Sequence, residues 1–226
     1  MELQHPYVGV MTAHGLTFGG DQRQSRDAVL RRCGCGVVAA ADLLRYLGRF
    51  HPDCRVTVLD AVQEDEWTQE QYDALLRRLR LRYFPLFYPT GLNGLALALG
   101  LNRLFRRLHM PYTARWGVPR AVLFEVMDEM LRQDLPVILS VGPNFPRVWR
   151  RDRLPMQREG CAGKTSVRAH YMTVTALDET SITVSSWGQK YRIRRSDYSR
   201  YVRRSSSPLV SNLLWLRPRQ GSEEAK

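Results

Sequence analysis

The segment from Cys35 to Phe50 constrains the fold of this chain more than any other. It reads CGVVAAADLLRYLGRF, and Asp42 and Arg45 are its only charged residues before Gly48. A helix that is apolar on almost every side is buried in the middle of a domain. Other elements must therefore pack around it, and a chain of 226 residues with 44% hydrophobic residues can supply them.

The two halves of the chain predict different kinds of element. Residues 1–34 are expected to be mostly irregular. Helical periodicity predicts helices at 68–82, 92–109 and 119–133. The second half predicts strands at 135–141, 170–176, 181–187, 190–194 and 209–216, with a short helix at 196–203. We therefore predict one α+β domain over residues 1–226, mainly helical over 1–134 and mainly antiparallel sheet over 135–226.

Residues 142–168 separate the first predicted strand from the others. The segment is rich in Pro, Gly and Arg and has no clear periodicity. Long segments of this kind often serve as lids or binding loops. Two interpretations remain open, a loop that grips an acidic peptide and an ordinary basic surface loop.

Charge, cysteine content and hydropathy limit the function classes. No signal peptide and no run of about 18 apolar residues is visible, so we expect no membrane span and a cytoplasmic location. Four cysteines are too few for a disulfide scaffold and are expected to be reduced. The formal net charge is +12, but the arginines are scattered from Arg23 to Arg219. This scatter favours a solvated basic surface over a nucleic-acid interface. The oligomeric state is not indicated.

Cys35 is the best candidate for a nucleophile. It opens the buried helix directly after Gly34, and the free N–H groups and dipole at a helix N-terminus favour a thiolate. Gly34 breaks the chain before the helix, and Gly36 is expected to leave room for a substrate to approach the sulfur. Cys33 lies in the preceding loop and lacks this placement.

His170 is the best candidate for the base that a thiol nucleophile needs. It opens a predicted strand whose inward face also carries Met172 and Val174. If Asp178 and Glu179 form a two-residue hairpin loop, Ser185 of the next strand becomes a diagonal neighbour of His170. Ser185 is then predicted to orient the imidazole, and Trp187 on the same face is predicted to shield that contact from water.

An oxyanion hole needs two hydrogen-bond donors. The backbone N–H of Cys35 is one candidate. Gln22 and Gln24 are the candidates for a side-chain amide, and Gln22 is preferred because it follows the turn at Gly19–Asp21.

These residues resemble the pattern of papain-like cysteine peptidases, which carry a Gln, a Cys opening a buried helix, a distant His on a strand and an Asn-Ser-Trp-Gly stretch. The corresponding residues here are Gln22, Cys33–Gly36, His170-Tyr171 and Ser185–Gly188. The bacteriocin-processing (double-glycine) peptidases look closer still, because they share a Cys-Gly followed by small apolar residues and a Tyr-x-Gly, here Cys35-Gly36 and Tyr46–Gly48. The similarity covers about residues 20–50 and 168–195.

The resemblance implies a papain-like fold and a cysteine hydrolase that cleaves a peptide or amide bond through a thiolate and an acyl-enzyme. Its catalytic residues would be Cys35, His170, Ser185 and Gln22, with Gly34, Gly36 and Trp187 beside the substrate. The expected partner is a peptide or protein substrate, and no cofactor or metal is expected. Two positions depart from the pattern: Ser185 replaces the usual Asn or Asp, and Gln22 lies farther from the cysteine than in the family.

Three other functions remain as alternatives. Ser185 stands where the family usually has an Asn or Asp to orient the histidine. This departure suits a non-catalytic binding module on the same fold. The net charge alone suits a nucleic-acid-binding protein. Cys33 and Cys35 with Cys161 and His170 could form a zinc site, although zinc ligands usually come in pairs with two to four residues between them, and no second pair exists.

Overall fold

The structure is a computed structural model, and it describes residues 1–54 and 67–219. The helices in these ranges are α1 Ala28–Cys33, α2 Cys35–Phe50, α3 Gln69–Arg82, α4 Gly94–Arg107, α5 Leu123–Arg132 and α6 Arg195–Arg204. The strands are β1 Val10–Thr12, β2 Gly15–Leu16, β3 Trp67–Thr68, β4 Tyr112–Trp116, β5 Val137–Val141, β6 Leu154–Arg158, β7 Lys164–Val167, β8 His170–Leu177, β9 Ser181–Ser186, β10 Gln189–Arg194 and β11 Leu213–Pro218.

The long apolar helix forms as predicted and lies in the core. Its two buried charged side chains each form hydrogen bonds, which offset part of the cost of burying them. Asp42 accepts from the backbone N–H of Gly20 (2.9 Å) and from the hydroxyl of Tyr72 (2.8 Å). Arg45 donates to the carbonyl of Gly9 (2.7 Å). The bonds to Gly20 and Gly9 tie the N-terminal segment to α2.

An eight-stranded antiparallel sheet packs against α2 mainly through β8. The strand order is β4-β11-β5-β8-β9-β10-β6-β7. Every strand pair in this sheet is antiparallel. The predicted α+β class is therefore confirmed. Because β8 lies near the middle of the sheet, its first residue, His170, is held between β5 on one side and β9 on the other.

Three segments differ from the sequence prediction. The loop predicted over 142–168 contains β6 and β7, which form a hairpin at the edge of the sheet. Strand β4, at the opposite edge, was not predicted. The N-terminal segment predicted to be irregular contains α1, whose cap is Asp27, with a carboxylate that accepts from the N–H groups of Val29 and Leu30. Short elements such as these carry too few residues for a clear periodicity.

Candidate active site

Cys35 occupies the first position of α2, directly after the end of α1. Gly34 ends one helix and precedes the next, with φ −83° and ψ 4°. A side chain in place of its hydrogen would force the backbone to shift, because a Cβ there would lie 2.5 Å from the carbonyl oxygen of Leu30. The tight junction places the partly exposed Cys35 thiol at a helix N-terminus, where backbone N–H groups have no partner within the helix.

The hairpin that brings His170 its partner is longer than predicted. Leu177 pairs with Ile182, not with Thr180, because the carboxylate of Asp178 accepts from the N–H groups of Thr180 and Ser181 and closes a wider turn. The predicted hairpin register is therefore wrong.

A β-bulge in β8 then shifts the pairing back by one residue. Val174 pairs with Val184 while Ala176 pairs with Thr183, so Thr175 is the extra residue. Near His170, the predicted pairing of β8 with β9 is therefore wrong by one residue. A shift of one residue moves each side chain to the opposite face of a strand.

Ser186, and not the predicted Ser185, is the partner of His170. The Oγ of Ser186 lies 2.8 Å from Nε2 of the His170 ring, which is itself only 8% exposed. Ser185 points to the other face of the strand and donates to the carbonyl oxygen of Phe18 (2.7 Å). Ser185 thus holds the N-terminal segment against the sheet, while Ser186 orients the imidazole.

Trp187 covers the imidazole as predicted. Its ring stacks on that of His170, with centroids 4.6 Å apart and planes inclined by 29°. Trp187 and Gly188 form the two-residue loop between β9 and β10, with φ of 50° and 68°. A bulky residue at positive φ is rare and costs about 1–2 kcal/mol. The guanidinium of Arg23 lies over the outer face of the indole (5.4 Å) and donates to the Trp187 carbonyl.

Gln22 lines the same cleft as Cys35 and His170. It opens a short 3-10 turn capped by Asp21. Its Nε2 donates one hydrogen to the carbonyl oxygen of Arg31 (3.0 Å), and an amide nitrogen carries a second. The structure therefore places Cys35, His170 and Gln22 in one cleft, as predicted. The fourth predicted residue, Ser185, is not the partner of His170, and Ser186 takes that position.

The space beside Gly36 is filled. A Cβ at this position would lie 3.2 Å from the ring of Tyr171 and 3.7 Å from Leu92. Gly36 therefore lets an aromatic ring pack against the start of α2, rather than opening a path for substrate as predicted. Tyr171, which the sequence interpretation missed, donates from its hydroxyl to the Leu92 carbonyl (3.0 Å) and forms part of the cleft wall.

The cleft in front of Cys35 has a volume of about 360 Å³. Such a volume suits a small molecule or a few residues of a peptide. Its apolar lining includes Phe87, Leu92, Pro143 and Leu209.

Burial dominates the electrostatics of the Cys35–His170 pair. It lowers the pKa of His170 to about 4, an effect that the nearby Arg23 cation strengthens and Asp21 opposes. Burial also raises the pKa of Cys35, although the backbone N–H groups of Tyr171 and Gly36 favour the thiolate. The two side chains line one cleft with no hydrogen bond between them among the described contacts, so the resting pair is a neutral thiol and a neutral imidazole at neutral pH.

The structure does not assemble the residues of the zinc alternative. Cys33 donates to the carbonyl of Val29 (3.2 Å), while Cys161 is exposed in the turn between β6 and β7. In the described parts of the chain, no three His, Cys, Asp or Glu side chains are grouped as metal ligands would be. Over the same residues, no helix has the length and apolar character needed to cross a membrane.

Comparisons with family models, curated proteins and solved structures found no match.

Proposed function

We propose that this protein has a papain-like fold and is a cysteine hydrolase that cleaves a peptide or amide bond. The observation that carries the proposal is that Cys35 and His170 line one cleft although 135 positions separate them in the sequence. Ser186 is bonded to one ring nitrogen of His170, and Trp187 covers its face. A nucleophile, a base and a group that orients the base are the parts such a reaction requires.

The neutral resting pair determines how the proton would move. If Nε2–H of His170 donates to Ser186, then Nδ1 is free to accept the proton of the Cys35 thiol as the sulfur attacks the carbonyl carbon. The C–S bond forms while the carbonyl π electrons move to oxygen. Collapse of this intermediate expels the amine, which takes the proton from His170, and leaves an acyl-enzyme. Water then attacks the acyl-enzyme, and His170 transfers the water proton to the departing sulfur.

The negative charge on the carbonyl oxygen requires donors. The backbone N–H of Cys35 at the start of α2 and the second amide hydrogen of Gln22 are the two candidates. Ser186 fixes the ring but carries no charge. It therefore stabilises the transient imidazolium less than a carboxylate would, and we expect modest turnover.

The test is the rate of Cys35 alkylation by iodoacetamide as a function of pH. Cys33 and Cys161 are replaced by Ala in all proteins, so that labelling reports on Cys35 and is confirmed by mass spectrometry. Because the resting pair is neutral, His170 would act as a general base in the labelling reaction, so the proposal predicts faster labelling of Cys35 at pH 6–7 in the wild type than in His170→Ala. An ordinary thiol, which titrates near about pH 8.5, would react at the same rate in both proteins. Cys35→Ala is the control for labelling elsewhere. A rate that follows an ordinary thiol in both proteins would contradict the proposal.

One observation favours a second candidate, a non-catalytic binding module on the same fold. Burial shifts the pKa values of Cys35 and His170 away from the charged pair, and no hydrogen bond joins the two side chains. This candidate predicts ordinary thiol reactivity, unaffected by His170→Ala, in the same experiment.

A further inference from the structure

A cation, Arg32, lines the cleft in front of Cys35, and among the described residues it has no carboxylate partner. Arg32 lies in the last turn of α1, three positions before Cys35, and its exposed side chain lines the cleft. No Asp, Glu or Lys is among the described residues that line this cleft. A positive group thus lines the same cleft as the nucleophile, and none of the described lining residues is a carboxylate that would neutralise it.

The neighbouring arginines form hydrogen bonds or ion pairs, whereas Arg32 forms neither with any described residue. The guanidinium of Arg31 donates to the backbone carbonyls of Ser25 and Arg26. Two further arginines near this end of the molecule form ion pairs, Arg26 with Glu70 and Arg23 with Asp21. Within residues 1–54 and 67–219, no carboxylate lies within ion-pair distance of Arg32.

Arg32 is nevertheless held in place. Its guanidinium lies over the ring of Tyr88, 5.4 Å from the centroid. Stacking of this kind restrains the planar group while its N–H donors in the plane stay available. A guanidinium that is positioned and not paired is well suited to bind a carboxylate with two parallel hydrogen bonds.

We propose that Arg32 is a specificity determinant that binds a carboxylate of the substrate beside Cys35. The substrate class is therefore a peptide with an acidic group near the bond that is cleaved, a step that rests on the proposed function. The apolar walls formed by Phe87, Leu92 and Leu209 would contact the remainder of that peptide. The carboxylate can come from an Asp or Glu side chain or from a peptide C-terminus, because the same guanidinium chemistry recognises both.

The first experiment compares two alkylating agents of similar size and different charge. In the Cys33→Ala/Cys161→Ala background, the rate of Cys35 labelling is measured with iodoacetate and with iodoacetamide at one pH. We expect Arg32→Gln to lower the ratio of the iodoacetate rate to the iodoacetamide rate by about threefold to tenfold. Arg32→Lys should retain most of the ratio. Arg107→Gln, which removes an exposed charge from α4 outside the cleft, should retain all of it.

Salt provides an independent check. Raising the ionic strength to about 1 M shortens the Debye length to about 3 Å, so the wild-type ratio should fall toward that of Arg32→Gln. An unchanged ratio in Arg32→Gln, or an equal fall in Arg107→Gln, would overturn the proposal. Because the ratio is taken at one pH, it does not depend on activation of the thiol by His170, so this failure is distinct from failure of the proposed hydrolase.

The second experiment identifies the source of the carboxylate. Two tetrapeptides are tested for protection of Cys35 from iodoacetamide: one with blocked ends and a single Asp, and one of Ala with a free C-terminus. Protection by the Asp peptide that is lost in Arg32→Gln assigns the side-chain source, and the same result with the Ala peptide assigns the C-terminal source. Protection by neither peptide, or protection that Arg32→Gln does not reduce, would overturn the substrate class.

Discussion

Protonation of His170 should couple the stability of this protein to pH in a way that one substitution can isolate. The ordinary pKa of a histidine is 6.5, and burial lowers that of His170 to about 4. Between these values the unfolded chain binds a proton that the folded protein does not, so the free energy of unfolding falls as pH falls. For a single group with these two pKa values, the loss between pH 7.5 and pH 5 is about 2 kcal/mol.

The assay is urea denaturation at pH 7.5 and at pH 5 for wild type, His170→Gln and His14→Gln. His170→Gln cannot titrate, so its loss of stability on acidification should be about 2 kcal/mol smaller than that of wild type. His14 is exposed, and replacing it should leave the wild-type difference unchanged. The reasoning is refuted if wild type and His170→Gln lose the same free energy between the two pH values, since the ring would then be protonated as easily in the folded state as in the unfolded one.

Three further results are expected. Ser186→Ala should slow Cys35 alkylation or substrate turnover up to about tenfold. Ser185→Ala should mainly lower the free energy of unfolding, by about 1 kcal/mol. Equal kinetic effects of the two substitutions would contradict the observed pairing of β8 with β9. Gly34→Ala should destabilise the protein by about 1–3 kcal/mol in urea, while Gly163→Ala, where a Cβ meets nothing within 4 Å, should not. Trp187→Asn should raise the pKa of the imidazole beneath it, measured by NMR titration, and an unchanged pKa would exclude shielding by the indole.

The central helix and the pairing of Cys35 with His170 could be predicted because each depends on a strong local pattern. Cys35–Phe50 is apolar on nearly all sides, and only a buried helix accommodates such a segment. His170 opens a strand whose inward face carries Met172 and Val174, so its own direction followed from the alternation of a strand.

The partner of His170 could not be predicted in the same way. It depends on the wide turn that Asp178 caps, which shifts the register by two residues, and on the bulge at Thr175, which shifts it back by one. The turn had a detectable signal, because an Asp followed by Thr and Ser often closes a loop through its carboxylate. No sequence signal indicates the bulge, since Thr175 is as compatible with a regular strand as with a bulged one. Ser185 and Ser186 are identical side chains, so composition could not choose between them.

The two-residue loop of Trp187 and Gly188 has a consequence for how this protein can be altered. Most surface loops accept inserted residues, because their backbone contributes little beyond connecting two elements. This loop is different, because Trp187 itself covers the His170 ring and Ser186, directly before it, is bonded to that ring. The loop has only two residues, so an insertion would move both side chains. An epitope tag or a reporter domain placed here would disturb both the hydrogen bond and the stacking contact that hold His170. The exposed turn around Gly160 and Gly163, where added atoms meet nothing, is the place to put one.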